Sequence, residues 1–167
     1  HLINELKSLS SDYIGFDLKP NQKILFCDVR NEIDLDGTFS ENDIIINLAA
    51  IHKTPGHNYN EYFETNVLGA ENICNFARKN NIKTILFTSS IAPYGTSDSL
   101  KEESSLPLPN TAYGISKLIA EKIHEKWFIE DKTRRLFIMR PGVVFGKGEN
   151  GNFEKLVKIL KKNMFIY

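Results

Sequence analysis

Short apolar runs alternate along this chain with longer stretches of helical rhythm, and that alternation constrains its fold more than any other feature. The runs are Tyr13-Ile14-Gly15-Phe16, then residues 23–27, 43–48, 82–88 and 135–139. They are apolar throughout rather than on alternate positions, which suits a parallel sheet covered on both faces. Residues 2–9, 58–80, 113–130 and 152–162 carry helical periodicity, and residues 32–39 read as a weak helix or turn. In 58–80, Phe63, Val67, Ala70, Ile73, Cys74 and Ala77 share one side; in 113–130, Ile115, Leu118, Ile119, Ile123 and Trp127 are expected inward. Strands and helices in this order imply βαβ units with right-handed crossovers. Ligands in such folds bind beyond the carboxyl ends of the strands. Asp17, Asp28, Ala49-Ala50, Ser89-Ser90 and Pro141 all fall at those ends, so a nucleotide site is expected there. The loop 91–110 is long, holds Pro93, Pro107 and Pro109, and reads as a functional lid.

A length of 167 residues suggests one domain, large enough to bury a real core. Lys+Arg and Asp+Glu are balanced at 21 each, so no broad basic field exists to attract nucleic acid. The lysines of 155–162 read as the solvated face of a helix. Cys27 and Cys74 lack metal or CxxC spacing and are expected as buried free thiols, in keeping with a reduced, cytoplasmic compartment. No metal site is expected. No apolar run approaches the ~20 residues that span a bilayer, and His1 to Lys7 look amphipathic rather than like a secretory signal. The chain opens on His1 already in helical rhythm and closes on the apolar run Met164-Phe165-Ile166-Tyr167. Both ends look cut through secondary structure, so a fold truncated at both ends is expected.

Within this frame, Tyr113 and Lys117 stand four residues apart and share a helix face. A phenol titrates near pH ~10 and is a poor base at neutrality; a cation a few ångströms away favours the phenolate. Upstream, the strand Thr84-Ile85-Leu86-Phe87 delivers Thr88-Ser89-Ser90 to its carboxyl end. A serine, a tyrosine and a lysine so placed can move a proton on and off a sugar hydroxyl or a ketone. A lone Tyr-x-x-x-Lys is common on amphipathic helices, and its meaning comes from the features around it.

Those features occur in a telling order: Asp17, Cys27-Asp28-Val29, Asn47-Leu48-Ala49-Ala50, Asn66-Val67-Leu68-Gly69-Ala70, Thr88-Ser89-Ser90, Tyr94-Gly95, Tyr113-x-x-x-Lys117 and Arg140-Pro141-Gly142-Val143-Val144-Phe145-Gly146. The set resembles the extended short-chain dehydrogenase/reductase family, specifically its NAD-dependent nucleotide-sugar epimerases and dehydratases. The resemblance implies an α/β fold with a doubly wound, mostly parallel Rossmann-like sheet. Residues 1–147 would be the dinucleotide-binding domain without its first strand and Gly-rich phosphate loop, and 148–167 the start of the substrate region. NAD is the implied cofactor and a nucleotide sugar the implied partner; a homodimer through the helices of 58–80 and 113–130 is suggested.

The same resemblance assigns residues. Asp17 would accept from the adenosine ribose hydroxyls, against a plain turn aspartate. Asp28 and Val29 would lie along the adenine, against a strand-end carboxylate. Leu48, Ala49 and Ala50 would line the cofactor, although packing explains the alanines equally well. His52 would stand near the phosphates or be a solvated loop histidine. Asn66 would tie the central helix to a neighbouring strand. Ser90 is favoured over Ser89 as the reacting serine, with Ser89 beside the cofactor and the Ser89 and Thr88 hydroxyls satisfying backbone groups. Tyr113 would be the general base and acid, with Lys117 easing its proton away and binding the nicotinamide ribose. Pro141, Val143 and Val144 would flank the nicotinamide. Ser90, Ile91, Ala92, Gly151, Asn152 and Phe153 would contact substrate. Dehydratases of the family carry an Asp-Glu pair directly after the serine or threonine; Ile91 and Ala92 stand here and cannot ionise. The expected reaction is therefore sugar epimerisation, at C4 by resemblance. A 4-keto-sugar reductase of the same fold and a non-catalytic nucleotide-binding module are the alternatives.

Overall fold

The computed structural model describes residues 2–35, 37–53, 56–146 and 152–162. All five apolar runs form strands, in two parallel sheets. Strand β1 (Gly15–Asp17) pairs with β2 (Ile24–Phe26). The larger sheet has the order β3-β4-β5, built from β3 (Ile44–Asn47), β4 (Thr84–Thr88) and β5 (Arg135–Met139). Register across it aligns Ile45 with Ile85 and Leu136, and Asn47 with Phe87 and Ile138. Parallel strands need crossovers, which helices provide.

One face of the larger sheet is covered. Ile45, Ile85 and Leu136 pack with Ile73, Cys74, Phe76, Ala77, Ile82 and Trp127. Phe87 and Ile138 pack with Ala70 and Ala120. The opposite face departs from expectation: Ile46, Phe137 and Met139 are exposed, and Ile44 is 59% exposed. Central β4 is thus the buried strand, while β3 and β5 each have one open side.

The helical stretches are α1 (Leu2–Ser8), α2 (Tyr59–Tyr62), α3 (Gly69–Lys79), α4 (Ala112–Ile129) and α5 (Asn152–Lys161). Residues 32–35 form no helix. The long helix expected over 58–80 is interrupted by a π-helical turn, Phe63–Leu68. Such turns concentrate at functional sites, and Asn66 sits within this one. Its Oδ1 accepts from the Ile51 N–H at 2.9 Å, while Nδ2 donates to the Ile51 carbonyl at 3.0 Å and to Ser116 Oγ at 2.9 Å. A buried amide that satisfies both backbone groups of Ile51 ties this turn to the chain leaving β3, the tie expected of Asn66.

Helix α4 holds the main surprise in packing. Its buried face is Gly114, Ser116, Lys117, Ala120, Glu121, His124 and Trp127, while Ile119, expected inward, is exposed. Three ionisable side chains occupy the innermost face of a core helix. Buried polar groups persist only when hydrogen-bonded, and their partners define the candidate site. Of the two cysteines, Cys74 is fully buried, with its thiol pushed up to about 12 by burial; Cys27 is only partly buried.

Candidate active site

The carboxyl ends of β3, β4 and β5 meet α4 along Lys117, Glu121 and His124. Thr111 caps that helix, its Oγ1 accepting from the Gly114 N–H at 3.0 Å. Tyr113 follows, half-buried, its ring centroid 6.5 Å from that of Tyr62. Gly114 is required by contact. A Cβ there would lie 2.6 Å from the Ala92 carbonyl oxygen and 3.1 Å from Pro109 Cβ. Gly95, directly after Ala92–Tyr94, has φ +71°, and a Cβ there would overlap the Leu108 carbonyl oxygen. The two glycines let the serine loop, the proline loop and the Tyr113 turn close on one another. Substituting Gly114→Ala should shift that turn, cost about 2 kcal/mol of stability, and lower turnover; differential scanning calorimetry with an activity assay checks both.

Lys117 lies one turn further on, 1% exposed. Its Nζ donates to the Thr88 carbonyl at 2.7 Å and stands 4.2 Å from the Phe87 ring centroid. Burial pulls its pKa down to about 8, against an upward pull from the Glu121 carboxylate. Ser90, half-buried at the mouth of β4, accepts the Ala92 N–H on its Oγ at 3.2 Å, which leaves its own proton available. Lys117 is thus bonded to the end of β4 two residues before Ser90, and Tyr113 precedes Gly114, which packs against Ala92 of the same loop.

Ser89 and Thr88 differ from expectation. The Ser89 hydroxyl donates to Glu121 Oε1 at 2.5 Å in the interior instead of satisfying backbone. Thr88 Oγ1 is buried without a partner among the described residues. Glu121 also receives Arg140 Nε at 2.8 Å on Oε1 and Nη2 at 2.5 Å on Oε2, and Arg140 Nη1 donates to Tyr94 Oη at 2.6 Å. On the next turn, His124 stacks on Phe87 with centroids 4.2 Å apart. Glu121, His124 and Arg140 received no role from the sequence. The available signal was spacing: 117, 121 and 124 share one helical face.

The remaining expected residues spread along the strand ends. Asp17 is exposed, and its Oδ1 accepts the Lys19 N–H at 2.9 Å. Asp28 is bound bidentately by Arg30, with contacts of 2.9 and 2.6 Å, which holds its carboxyl below the usual range. Its expected adenine contact thus faces competition that the sequence reading did not weigh. The Val29 carbonyl accepts Asn72 Nδ2 at 2.8 Å. The Ala49 N–H donates to Asn47 Oδ1 at 3.1 Å, Ala50 is half-buried, and Leu48 and His52 are exposed. The Pro141 carbonyl accepts the Ile91 N–H at 3.2 Å, joining the two loops after β4 and β5. Val143 and Val144 are exposed. Ile91 lines an open cleft of about 420 Å³ with Tyr94, Ile138 and Arg140. Gly151 lies outside the described residues, as does the side chain of Asn152. The Phe153 ring packs 4.8 Å from that of Phe145.

The sequence pattern of the NAD dependent epimerase/dehydratase family matches residues 1–164. The chain belongs to that family. It is 35% identical over 140 residues to the N-acetyl-alpha-D-glucosaminyl-diphospho-ditrans,octacis-undecaprenol 4-epimerase of Escherichia coli O157:H7, a match covering 83% of this chain and 42% of that protein. It is 28% identical over 163 residues to the UDP-glucose 4-epimerase of Pisum sativum, covering 93% and 46% respectively. The fold superimposes on a UDP-galactose 4-epimerase with a TM-score of 0.81 at 20% identity, over 98% of this chain and 59% of that one. A UDP-N-acetylglucosamine 4-epimerase from Bacillus cereus gives 0.73 at 24% identity, over 90% and 56%. The chain spans about half the length of the curated relatives it matches. Among the described residues, no helix is long and apolar enough to cross a membrane.

Proposed function

We propose that the protein of which these residues form the dinucleotide half is an NAD-dependent epimerase that inverts C4 of a nucleotide sugar. The observation that carries this is the ammonium of Lys117, desolvated against the Thr88 carbonyl two residues before Ser90 and one turn after a half-buried Tyr113. Keeping a cation in the interior is unfavourable, and a chain that needed only structure would place a leucine there.

The residues present fit NAD at both ends. Asp17 offers an exposed carboxylate at the end of β1, with a single backbone donor on it, for the adenosine ribose hydroxyls. A carboxylate there repels a 2′-phosphate, which favours NAD over NADP. Val29, Leu48, Ala49, Ala50, Pro141, Val143 and Val144 supply small or apolar surface between the ends, His52 a group near the phosphates, and Lys117 a donor for the nicotinamide ribose. Bound NAD supplies the acceptor and later the donor of a hydride. Tyr113 takes the sugar hydroxyl proton in the oxidation and returns it in the reduction, so the protein's proton count is restored over the full cycle. Ser90 donates a hydrogen bond to the same oxygen and keeps its proton. Ile91 and Ala92 offer no acid or base for eliminating water, which leaves epimerisation rather than dehydration. Reduced thiols at Cys27 and Cys74 agree with a cytoplasmic setting, and the exposed Leu68, in the π turn before α3, and Ile119 of α4 with pairing through the helices of 58–80 and 113–130.

The test is direct. The full-length protein should purify with about one equivalent of NAD and interconvert UDP-glucose or UDP-N-acetylglucosamine with the C4 epimer, without added cofactor, as read by proton NMR. Release of a reduced sugar with net consumption of NADH would instead identify a reductase.

A further inference from the structure

Glu121 is fully buried, two turns into α4. A carboxylate removed from water is tolerated only with strong partners. It has three donors from two separate strand ends: Ser89 after β4, and Arg140 after β5 through two nitrogens. Arg140 passes the connection on to Tyr94, whose turn packs against Gly114. The carboxylate is thus a clamp on the two residues that bracket the site. Ser89 immediately precedes Ser90, and Arg140 precedes Pro141, whose carbonyl holds the Ile91 N–H. Glu121 also follows Lys117 by one helical turn.

We infer that Glu121 is a positioning residue: by fixing Ser89 and Arg140 it sets where Ser90 stands. This rests on the epimerase reading for what Ser90 and Lys117 do. The groups around Glu121 and Lys117 are Ser89, the Thr88 carbonyl and the Phe87 ring from β4 and its end; Arg140 from the end of β5, with Tyr94 behind it; and His124 from α4 itself. Arg140 is paired with Glu121 at 2.5 Å, so loss of the carboxylate leaves that guanidinium without its anion. The carboxylate also favours the Lys117 ammonium, and its loss moves Lys117 toward the neutral form.

Two variants of the full-length protein test this. Glu121→Gln keeps shape and removes charge. It should lower kcat ten- to a hundredfold while leaving KM for UDP-glucose or UDP-N-acetylglucosamine within about threefold, and shift the Lys117 titration to lower pH by about one unit. That titration is read by NMR of 13C-labelled lysine, independently of turnover. The double change Glu121→Met with Arg140→Met removes the ion pair outright, and such replacements are often neutral for stability. It should melt within a few degrees of wild type yet remain as impaired as Glu121→Gln, which a merely structural role would not produce. Should Glu121→Gln fail to fold, the double variant decides alone. Wild-type kcat and an unmoved Lys117 titration in either folded variant would overturn the inference. If Tyr113→Phe is inactive in the same assay while these variants are unimpaired, only the role of Glu121 fails; if Tyr113→Phe retains full turnover, the epimerase reading fails first.

Discussion

Replacing Tyr113 by phenylalanine should reduce turnover by about a thousandfold while leaving NAD affinity within about twofold. A positioned general acid–base contributes ~10²–10⁴ to rate, and Tyr113 is half-buried, a single turn from the buried ammonium. The substitution removes one oxygen. Among the described residues that oxygen bonds to nothing, so its loss strands no partner and should not disturb the fold. The aromatic body, tilted against Tyr62 at 6.5 Å, stays in place. Lys117 keeps its bond to the Thr88 carbonyl, and the ribose contacts assigned to it should survive. Equilibrium dialysis against NAD and epimer exchange followed by NMR separate the two effects. Turnover persisting in Tyr113→Phe would remove the proposed mechanism.

The contrast between Tyr113 and its neighbours on α4 explains what could be read from the sequence. The five strands were legible because each is a compact apolar run stopped by a polar or small residue, and β5 ends where Arg140-Pro141 predicts. Tyr113 and Lys117 were legible because a helical period ties them locally. The rest of the buried face was not. Ile115, Leu118 and Ile119 outweigh Lys117, Glu121 and His124 in any apolar count, so the periodicity points the wrong way. What drives the helix to turn its charged side inward is a set of partners remote in sequence: Arg140, 19 residues on, and Asn47, 77 residues back. The π turn is hidden for the same reason. Nothing in Phe63 to Leu68 breaks a helix; the pull comes from Ile51, 15 residues earlier, through Asn66. Sheet coverage was misjudged because an apolar run reads the same whether one face or both are packed, and Ile46, Phe137 and Met139 proved to lie on the open side.

Acidification should weaken the fold well above the pH at which its carboxylates protonate, because of His124. The ring is fully buried against Phe87. Its Nδ1 lies 2.7 Å from the Ala120 carbonyl, which can only accept, so Nδ1 carries the proton. Nε2 is then the acceptor for Asn47 Nδ2 at 3.4 Å. A second proton on Nε2 would face an amide donor, and the amide cannot turn over without giving up the bond from the Ala49 N–H to Asn47 Oδ1. Burial dominates, with Lys117 adding to it and the Ala120 carbonyl and Glu121 opposing, and together they pull the pKa from 6.5 to about 4. The unfolded chain therefore binds a proton that the native state refuses between those values. Stability from this group is complete above pH 6.5 and drains away as pH falls toward 4. The full window is worth about 3 kcal/mol, and about 2 kcal/mol is lost by pH 5. Glu130 acts lower, since its arginine partners hold it at about 2. Urea unfolding of the full-length protein at pH 7, 6 and 5 should show this slope in wild type. His124→Phe, less stable at pH 7 because Asn47 loses its acceptor, should be nearly flat across the same range. Equal slopes in the two proteins would mean that the ring accepts its proton in the folded state and that the Asn47 contact does not hold it neutral.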